Sequence, residues 1–523
     1  MEISRKSRWS ITALLCISLL TGCASVGPGR AERAASSALA DPRETFLGRH
    51  FLDEAHAHGE SSAFHVISAG VDGFVTRVQM IRQAERTLDL QYFIFRGDET
   101  GRMITDELLR AADRGVRVRV LVDDGDTTDG DERILKLDGT PNIQVRVFNP
   151  FDYRKHNRIL RNLDFAFHKS RLDYRMHNKL MVADNAVALI GGRNIGNQYF
   201  QLDPASQFAD DDVFTAGPIV QQLSHSFDDF WNSDMSVPAA SLGHVAADVR
   251  AGEKAVVKGS GLDYLARVES GEPYASLIGN PTQLVWATVK MIYDSPDKRG
   301  IVRHEQRGRL MTAAITAAMR TVESELLLAS PYFVPTDSEL DVFKELRLRD
   351  ATVRVLTNSL ESAPDLAAQS GYAKLRVPLL EEGIHLYEIR SRLSSTRGSG
   401  QTREISRYGT YALHAKLYLF DRRRVFVGSW NCDPRSANIN TEIGVLIDSP
   451  EIAAQLARRF SEMIGPQEAY QVRLKPTANG QPGLVWDTEI DAGNVELTKE
   501  PTRGWWRRQQ VRLLALFPLK PEL

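Results

Sequence analysis

His177-Asn178-Lys179-Leu180-Met181-Val182-Ala183-Asp184 and His414-Ala415-Lys416-Leu417-Tyr418-Leu419-Phe420-Asp421 are the stretches that decide how this chain folds. Each sets a His and a Lys two residues apart, runs through four mostly apolar residues and stops at an Asp. After six intervening residues come Gly191-Gly192-Arg193-Asn194 and Gly428-Ser429-Trp430-Asn431, so every internal spacing is the same in the two copies. A short apolar run closed by Asp reads as a strand ending in a turn. Residues i and i+2 of a strand share a face, which puts each His beside its Lys. A second apolar run (186–190 and 425–427) then returns and delivers Gly192 with Asn194, or Ser429 with Asn431, to the same place.

Outward from these motifs the duplication continues. Residues 88–95 resemble 326–333 as buried, aromatic-rich strands, each preceded by an amphipathic helix (75–84, 310–322) and followed by another (101–114, 338–346). Further strands match at 116–122 with 352–357, and at 143–148 with 384–389. Strands alternating with helices predict an α/β fold: two duplicated halves, each a mixed, mainly parallel sheet flanked by helices, facing each other about a pseudo-twofold axis. The halves are expected at 46–237 and 309–470. Residues 238–308 form a connector or insertion with one strand-like run, 284–293, and 471–523 form a C-terminal extension.

The chain has 523 residues, 42% hydrophobic and 25% charged, as in globular proteins, and its formal net charge of -2 gives no general bias toward nucleic acid. The N-terminus reads differently. Arg5, Lys6 and Arg8 precede an apolar core at 11–20 that is too short to span a bilayer, the pattern of a signal peptide. It ends in Leu20-Thr21-Gly22-Cys23, which resembles a bacterial lipobox and implies acylation of Cys23; an ordinary signal peptide with a chance cysteine is the alternative. Residues 24–45 then form a tether, and Ala24 after the cysteine points to a periplasm-facing lipoprotein of the outer rather than the inner membrane. With Cys16 removed and Cys23 acylated, Cys432 is left alone and no intramolecular disulfide is expected.

Two histidines and two lysines from two halves suit phosphodiester exchange. A diester anion repels nucleophiles until its charge is balanced, and Lys179 and Lys416, with Asn194 and Asn431, can do this without a metal. Gly192 or Ser429 lets backbone approach an anion. One neutral His attacks phosphorus while the other, protonated, gives its proton to the departing alcohol. A histidine used so needs a carboxylate at its far nitrogen. Aligning the copies on Pro218 and Pro450 places Asp210 and Glu442 eight residues upstream, as the acids expected to orient His177 and His414, with Asp212 as runner-up. Asp184 and Asp421 complete the catalytic motif, although their place at a turn reads as structural. No Cys/His or paired-carboxylate spacing of a metal site is seen, and no cofactor is expected.

These paired motifs resemble those of the phospholipase D superfamily over nearly the whole mature chain. The run from Gly428 to Glu442 looks like the bacterial cardiolipin synthase branch, with its GSxNxDxRS stretch followed by N-x-E. The resemblance implies a covalent phosphohistidine intermediate, with His177 attacking and His414 as acid/base. It also implies phospholipid substrates: phosphatidylglycerol, with phosphatidylethanolamine as a further candidate. A lipid tether fits this, as does Trp505-Trp506-Arg507-Arg508 followed by the apolar run 511–517, which reads either as a membrane-surface helix or as a helix packed on the protein. The expected reaction is phosphatidyl transfer to phosphatidylglycerol, giving cardiolipin. Phospholipase D hydrolysis to phosphatidic acid is the alternative and an endonuclease a more distant one; a helper protein is left open.

Overall fold

Two runs of alternating strand and helix fold as the repeat predicts in a computed structural model. It describes residues 34–59, 61–125, 132–152, 158–242, 261–280, 283–304, 310–392, 410–477, 480, 482–490 and 493–516. The signal sequence, Cys23 and residues 24–33 of the tether lie outside these described residues. The first half contributes β1 (Ser62–Ile67), β2 (Thr87–Tyr92), β3 (Arg117–Asp123), β4 (Ile143–Phe148), β5 (Leu180–Ala183), β6 (Val187–Gly191), β7 (Ser206–Ala209), β8 (Asp212–Ala216) and β9 (Ser236–Pro238). The connector contributes β10 (Val285–Tyr293). The second half contributes β11 (Glu325–Ala329), β12 (Thr352–Asn358), β13 (His385–Ile389), β14 (Thr410–Leu413), β15 (Leu417–Phe420), β16 (Arg424–Gly428) and β17 (Ile443–Asp448). Three more strands, β18 (Ala469–Pro476), β19 (Pro482–Ile490) and β20 (Gly493–Leu497), extend it.

Within the sheet of each half the parallel order is confined to β2–β3–β4 and β11–β12–β13, where helices such as Glu99–Asp113 and Asp337–Leu348 make the crossovers. Elsewhere in each sheet the pairing is antiparallel, because the Asp-closed turn sends β6 and β16 straight back along β5 and β15. At that turn Asp184 and Asn185, and Asp421 and Arg422, have positive φ, a conformation that Asn and Asp tolerate better than most residues.

The connector strand joins the halves. Val285–Ala287 pair antiparallel with β1 and Thr288–Tyr293 with β17, so both sheets continue through β10. Between the halves lies one apolar layer in which Leu180, Val182, Val213 and Phe230 share a cluster with Leu417, Val427, Val445 and Leu456. This layer explains why the strands bearing the motifs are apolar on both faces, one toward their own helices and one toward the other half.

The tether is anchored sooner than the sequence suggests. From residue 34 its backbone is held by the first half: Ala34 and Ser36 carbonyls accept from Arg146 and Arg119, both at 2.9 Å, and the Ala38 N–H donates to Asp228 at 2.9 Å. The backbone carbonyls of this segment find partners in Arg119 of β3 and Arg146 of β4, and the Ala38 amide finds one in Asp228.

Candidate active site

β5 and β15 begin one residue after Lys179 and Lys416, so the two His-x-Lys segments lie just before the strands and at the seam between halves. His177 is 7% exposed and His414 6%; both lysines and both orienting acids are buried.

The acids are exchanged between halves. Nδ1 of His177 lies 2.8 Å from Oε2 of Glu442, and Nδ1 of His414 lies 2.6 Å from Oδ2 of Asp210. The sequence alignment names these two acids but does not decide which serves which histidine. The cause of the exchange is backbone pairing across the seam. The His177 N–H donates to the carbonyl of Thr441, the residue before Glu442, at 3.0 Å. The His414 N–H likewise donates to Ala209, the residue before Asp210, at 2.7 Å, where β7 and β14 pair in parallel. Each acid therefore emerges beside the other half's imidazole. An ionised carboxylate only accepts, so Nδ1 carries the proton in both rings and each Nε2 is left with its lone pair.

Asp212 is no orienter. It begins β8, where its carboxylate pairs with Arg77 at 2.8 Å and Arg193 at 3.1 Å. Asp184 and Asp421 also stand away from the chemistry. Asp184 accepts the N–H groups of Glu85, Arg86 and Thr87 at 2.8–2.9 Å, and Asp421 those of Glu323, Ser324 and Glu325 at 2.7–3.0 Å. They fasten the turn after the motif strand to the entry of β2 and β11.

Gly192 and Ser429 occupy equivalent positions but face acids rather than open space. A Cβ on Gly192 would sit 2.2 Å from Asp210 Oδ1, so only glycine lets that carboxylate reach His414. Ser429 instead donates its hydroxyl to Glu442, and Ser436 donates to the other oxygen of Glu442 at 2.7 Å. Asn194 is committed locally, accepting from the Ile94 N–H at 3.1 Å and donating to the Tyr199 hydroxyl at 3.0 Å. Asn431 keeps a buried amide oxygen without a hydrogen-bond partner.

Aromatic rings complete the walls. Phe93 meets His177 edge-on at 5.1 Å, Phe208 stacks on His414 at 5.2 Å, and Tyr199 meets that ring edge-on at 5.1 Å. Lys179 lies 5.4 Å over Phe93, and Lys416 Nζ lies against the His414 ring, 3.0 Å from Nδ1 and 3.4 Å from Nε2. The motif spacing gives no sign of these rings, although Phe93 stands next to the repeated Tyr92. At the ends of β3 and β12, Asp123 accepts the Met176 N–H at 2.8 Å and Asn358 accepts the Leu413 N–H at 2.9 Å. Each fixes the residue before a histidine.

Burial and the two lysines hold His177 well below the usual imidazole range, and the same causes bring His414 down to about 3. Burial pulls both lysines down, Lys416 to about 8. Asp210 lies well below the ordinary carboxylate range despite its burial, held there by His414 and Lys416. Burial pushes Glu442 up, opposed by Lys179, the Ser429 and Ser436 hydroxyls and Lys298. Both histidines thus rest neutral. An arriving diester anion adds one negative charge, which a proton on a histidine offsets.

This fold and this pair of acid-oriented histidines define a duplicated α/β enzyme of the phospholipase D type. Two segments, residues 78–231 and 311–464, match the family described as cardiolipin synthase, PLD-like domain. Cardiolipin synthase C of Escherichia coli K12 is 34% identical over 466 residues, covering 87% of this chain and 94% of that protein. The major cardiolipin synthase ClsA of Bacillus subtilis is 26% identical, covering 77% and 69% respectively. The crystal structure of phosphatidylserine synthase from Haemophilus influenzae superposes with a TM-score of 0.53 at 13% identity, covering 81% of this chain and 91% of that one, and so shares the fold. The chain belongs to the cardiolipin synthase family of phospholipase D-like enzymes.

Proposed function

We propose that the enzyme makes cardiolipin by moving a phosphatidyl group from one phospholipid to a headgroup hydroxyl of phosphatidylglycerol. Nε2 of neutral His177 attacks phosphorus, the P–O bond to the donor's headgroup alcohol breaks, and protonated His414 gives that oxygen its proton. The acceptor hydroxyl then returns a proton to His414 and attacks phosphorus, and the P–N bond breaks. Lys179 and Lys416 balance the diester charge throughout. The observation that carries this reading is the crossed pair of acid-held, buried histidines, with the two motif lysines buried among them. The likeness to cardiolipin synthase C supports the lipid substrates. Hydrolysis differs only in water replacing the acceptor.

Acylation at Cys23 would hold this site at the periplasmic face of a membrane, the outer one by the residue that follows the cysteine. The helix Trp505–Leu514 supports contact with a lipid surface. Among its residues Val511 is buried, whereas Trp505, Trp506 and Leu513 are 65%, 66% and 59% exposed. Arg507 ties the helix to the Leu360 carbonyl at 2.7 Å, in the loop following Asn358, which holds Leu413 next to His414. Tryptophans and arginines so placed suit a bilayer interface. No helix among the described residues is long and apolar enough to cross a membrane.

The test is purified enzyme with labelled phosphatidylglycerol in mixed micelles containing EDTA, followed by mass spectrometry beside His177→Ala and His414→Ala. Cardiolipin and free glycerol are expected with the wild type and with neither variant. Phosphatidic acid alone would make the enzyme a hydrolase or point to phosphatidylethanolamine as the missing co-substrate. DNA cleavage without lipid turnover would remove the lipid reading.

A further inference from the structure

We infer that Asp294 and Lys298, from the connector between the halves, are positioning residues for His177 and act through Glu442. The inference rests on His177 being the attacking histidine. β10 pairs with β17 as far as Tyr293 opposite Ile443, and one residue further the pairing passes to a side chain. The Asp294 N–H donates to the Glu442 carbonyl at 2.9 Å, while the Glu442 N–H donates to Asp294 Oδ2 at 3.2 Å. The backbone of Glu442 is thus gripped on both sides by one connector residue. The other carboxylate oxygen of Asp294 accepts the Met311 N–H at 2.9 Å, which ties the grip to the first helix of the second half.

Lys298 completes it. Its ammonium donates to Asp294 at 2.7 Å, to the Ser436 carbonyl at 2.7 Å and to the Asn440 carbonyl at 2.6 Å, so all three protons are used. Both side chains are 0% exposed. Ser436 carries one of the hydroxyls that hold Glu442, so Lys298 fixes both the acid's backbone neighbour and its support. A buried ion pair is a poor device for stability alone, since apolar residues of the same volume serve as well. Here it spans the loop 436–442 with directed hydrogen bonds that an apolar pair could not make. In the first half the corresponding loop is held by arginines: Arg193 donates to the Asp210 carbonyl and Arg459 pairs with Asp211 at 2.8 Å. The connector gives Glu442 what those arginines give Asp210.

The charges facing the His177–Glu442 pair are Lys179, Lys416 and Arg435, with Asp433, Asp294 and Lys298 behind the acid. Removing the Lys298 cation makes proton uptake by the pair easier, and removing the Asp294 anion makes it harder, so the two single variants act with opposite sign. The experiment measures kcat and KM against pH for a soluble diester, bis(p-nitrophenyl) phosphate, with Lys298→Met, Asp294→Asn, the paired variant and His177→Ala. Lys298→Met is expected to lower kcat about a hundredfold, the cost of a misplaced reacting group, with KM little changed and the acid limb moved to higher pH. Asp294→Asn is expected to move that limb to lower pH. The paired variant leaves no unpaired buried charge, so it keeps the test alive if a single variant does not fold; its limb should return toward the wild-type position while kcat stays low. Limbs that stay put, or move in the same direction, would reduce the pair to a structural element while the two-histidine site stands. Turnover by His177→Ala at the wild-type rate would overturn both, since no nucleophile would remain to position.

Discussion

Replacing Glu442 by Gln keeps the shape of the side chain and removes its charge, and the crossed geometry says which step suffers. Glu442 belongs to the second half, but its carboxylate holds Nδ1 of His177 at 2.8 Å in the first. Attack on phosphorus makes that imidazole cationic, so the carboxylate stabilises the transition state more than the ground state. A hydrogen bond to a charged group is worth about 1.5–3 kcal/mol, or about 10- to 150-fold in rate. If the amide turns its NH2 toward the ring, the lone pair moves to Nδ1 and Nε2 can no longer attack, which raises the loss toward about 10⁴-fold. Ser429 and Ser436 both donate to the acid and so favour an oxygen on that side, which places the expected loss between these limits. The assay is rapid acid quench with a radiolabelled diester, which counts phosphoenzyme in the first turnover. Glu442→Gln should abolish its rapid formation. Asp210→Asn, which loosens His414, should slow release and so leave phosphoenzyme on His177. Rapid phosphoenzyme formation in Glu442→Gln, with its loss in Asp210→Asn, would refute the assignment of acids and of roles together.

Three further outcomes are expected. Gly192→Ala should lose most activity while melting near the wild type, because its Cβ would strike the Asp210 carboxylate that holds His414. Asp184→Ala should do the reverse: it strands three backbone N–H groups, at about 1–3 kcal/mol for each that stays buried, which lowers the midpoint in urea with the rate per folded molecule kept. Binding of a non-reactive phosphate diester should draw in protons, read as heats that vary with buffer ionisation in titration calorimetry at pH 7; heats independent of buffer would contradict the charge balance drawn above.

The pH dependence of stability has a definite sign. His414 titrates near 3 in the folded protein against an ordinary value of 6.5, and His177 is shifted the same way. Between those values the unfolded chain binds protons that the folded site refuses, so stability is lost as pH falls below 6.5. The melting temperature should fall with pH across this window, and less steeply in the double variant His177→Ala, His414→Ala.

Much of this enzyme was legible in one dimension. The spacing His-x-Lys-x4-Asp, repeated without change, predicted two duplicated α/β halves, and strand periodicity put each His with its Lys because neighbours two apart share a face. Alignment on Pro218 and Pro450 picked out Asp210 and Glu442 as the acids, since both precede the same strand in the two copies. The sequence could not say which acid serves which histidine. That depends on Thr441 and Ala209 pairing with the other half's backbone, a contact between residues more than two hundred positions apart. For the same reason Gly192 reads as an anion contact in sequence and makes room for a carboxylate in space. The segment around Asp294 and Lys298 looks like a plain connector until β10 lies along β17. Local pattern records what a strand presents to its own neighbours; what stands opposite is decided only when the two halves close on their shared apolar layer.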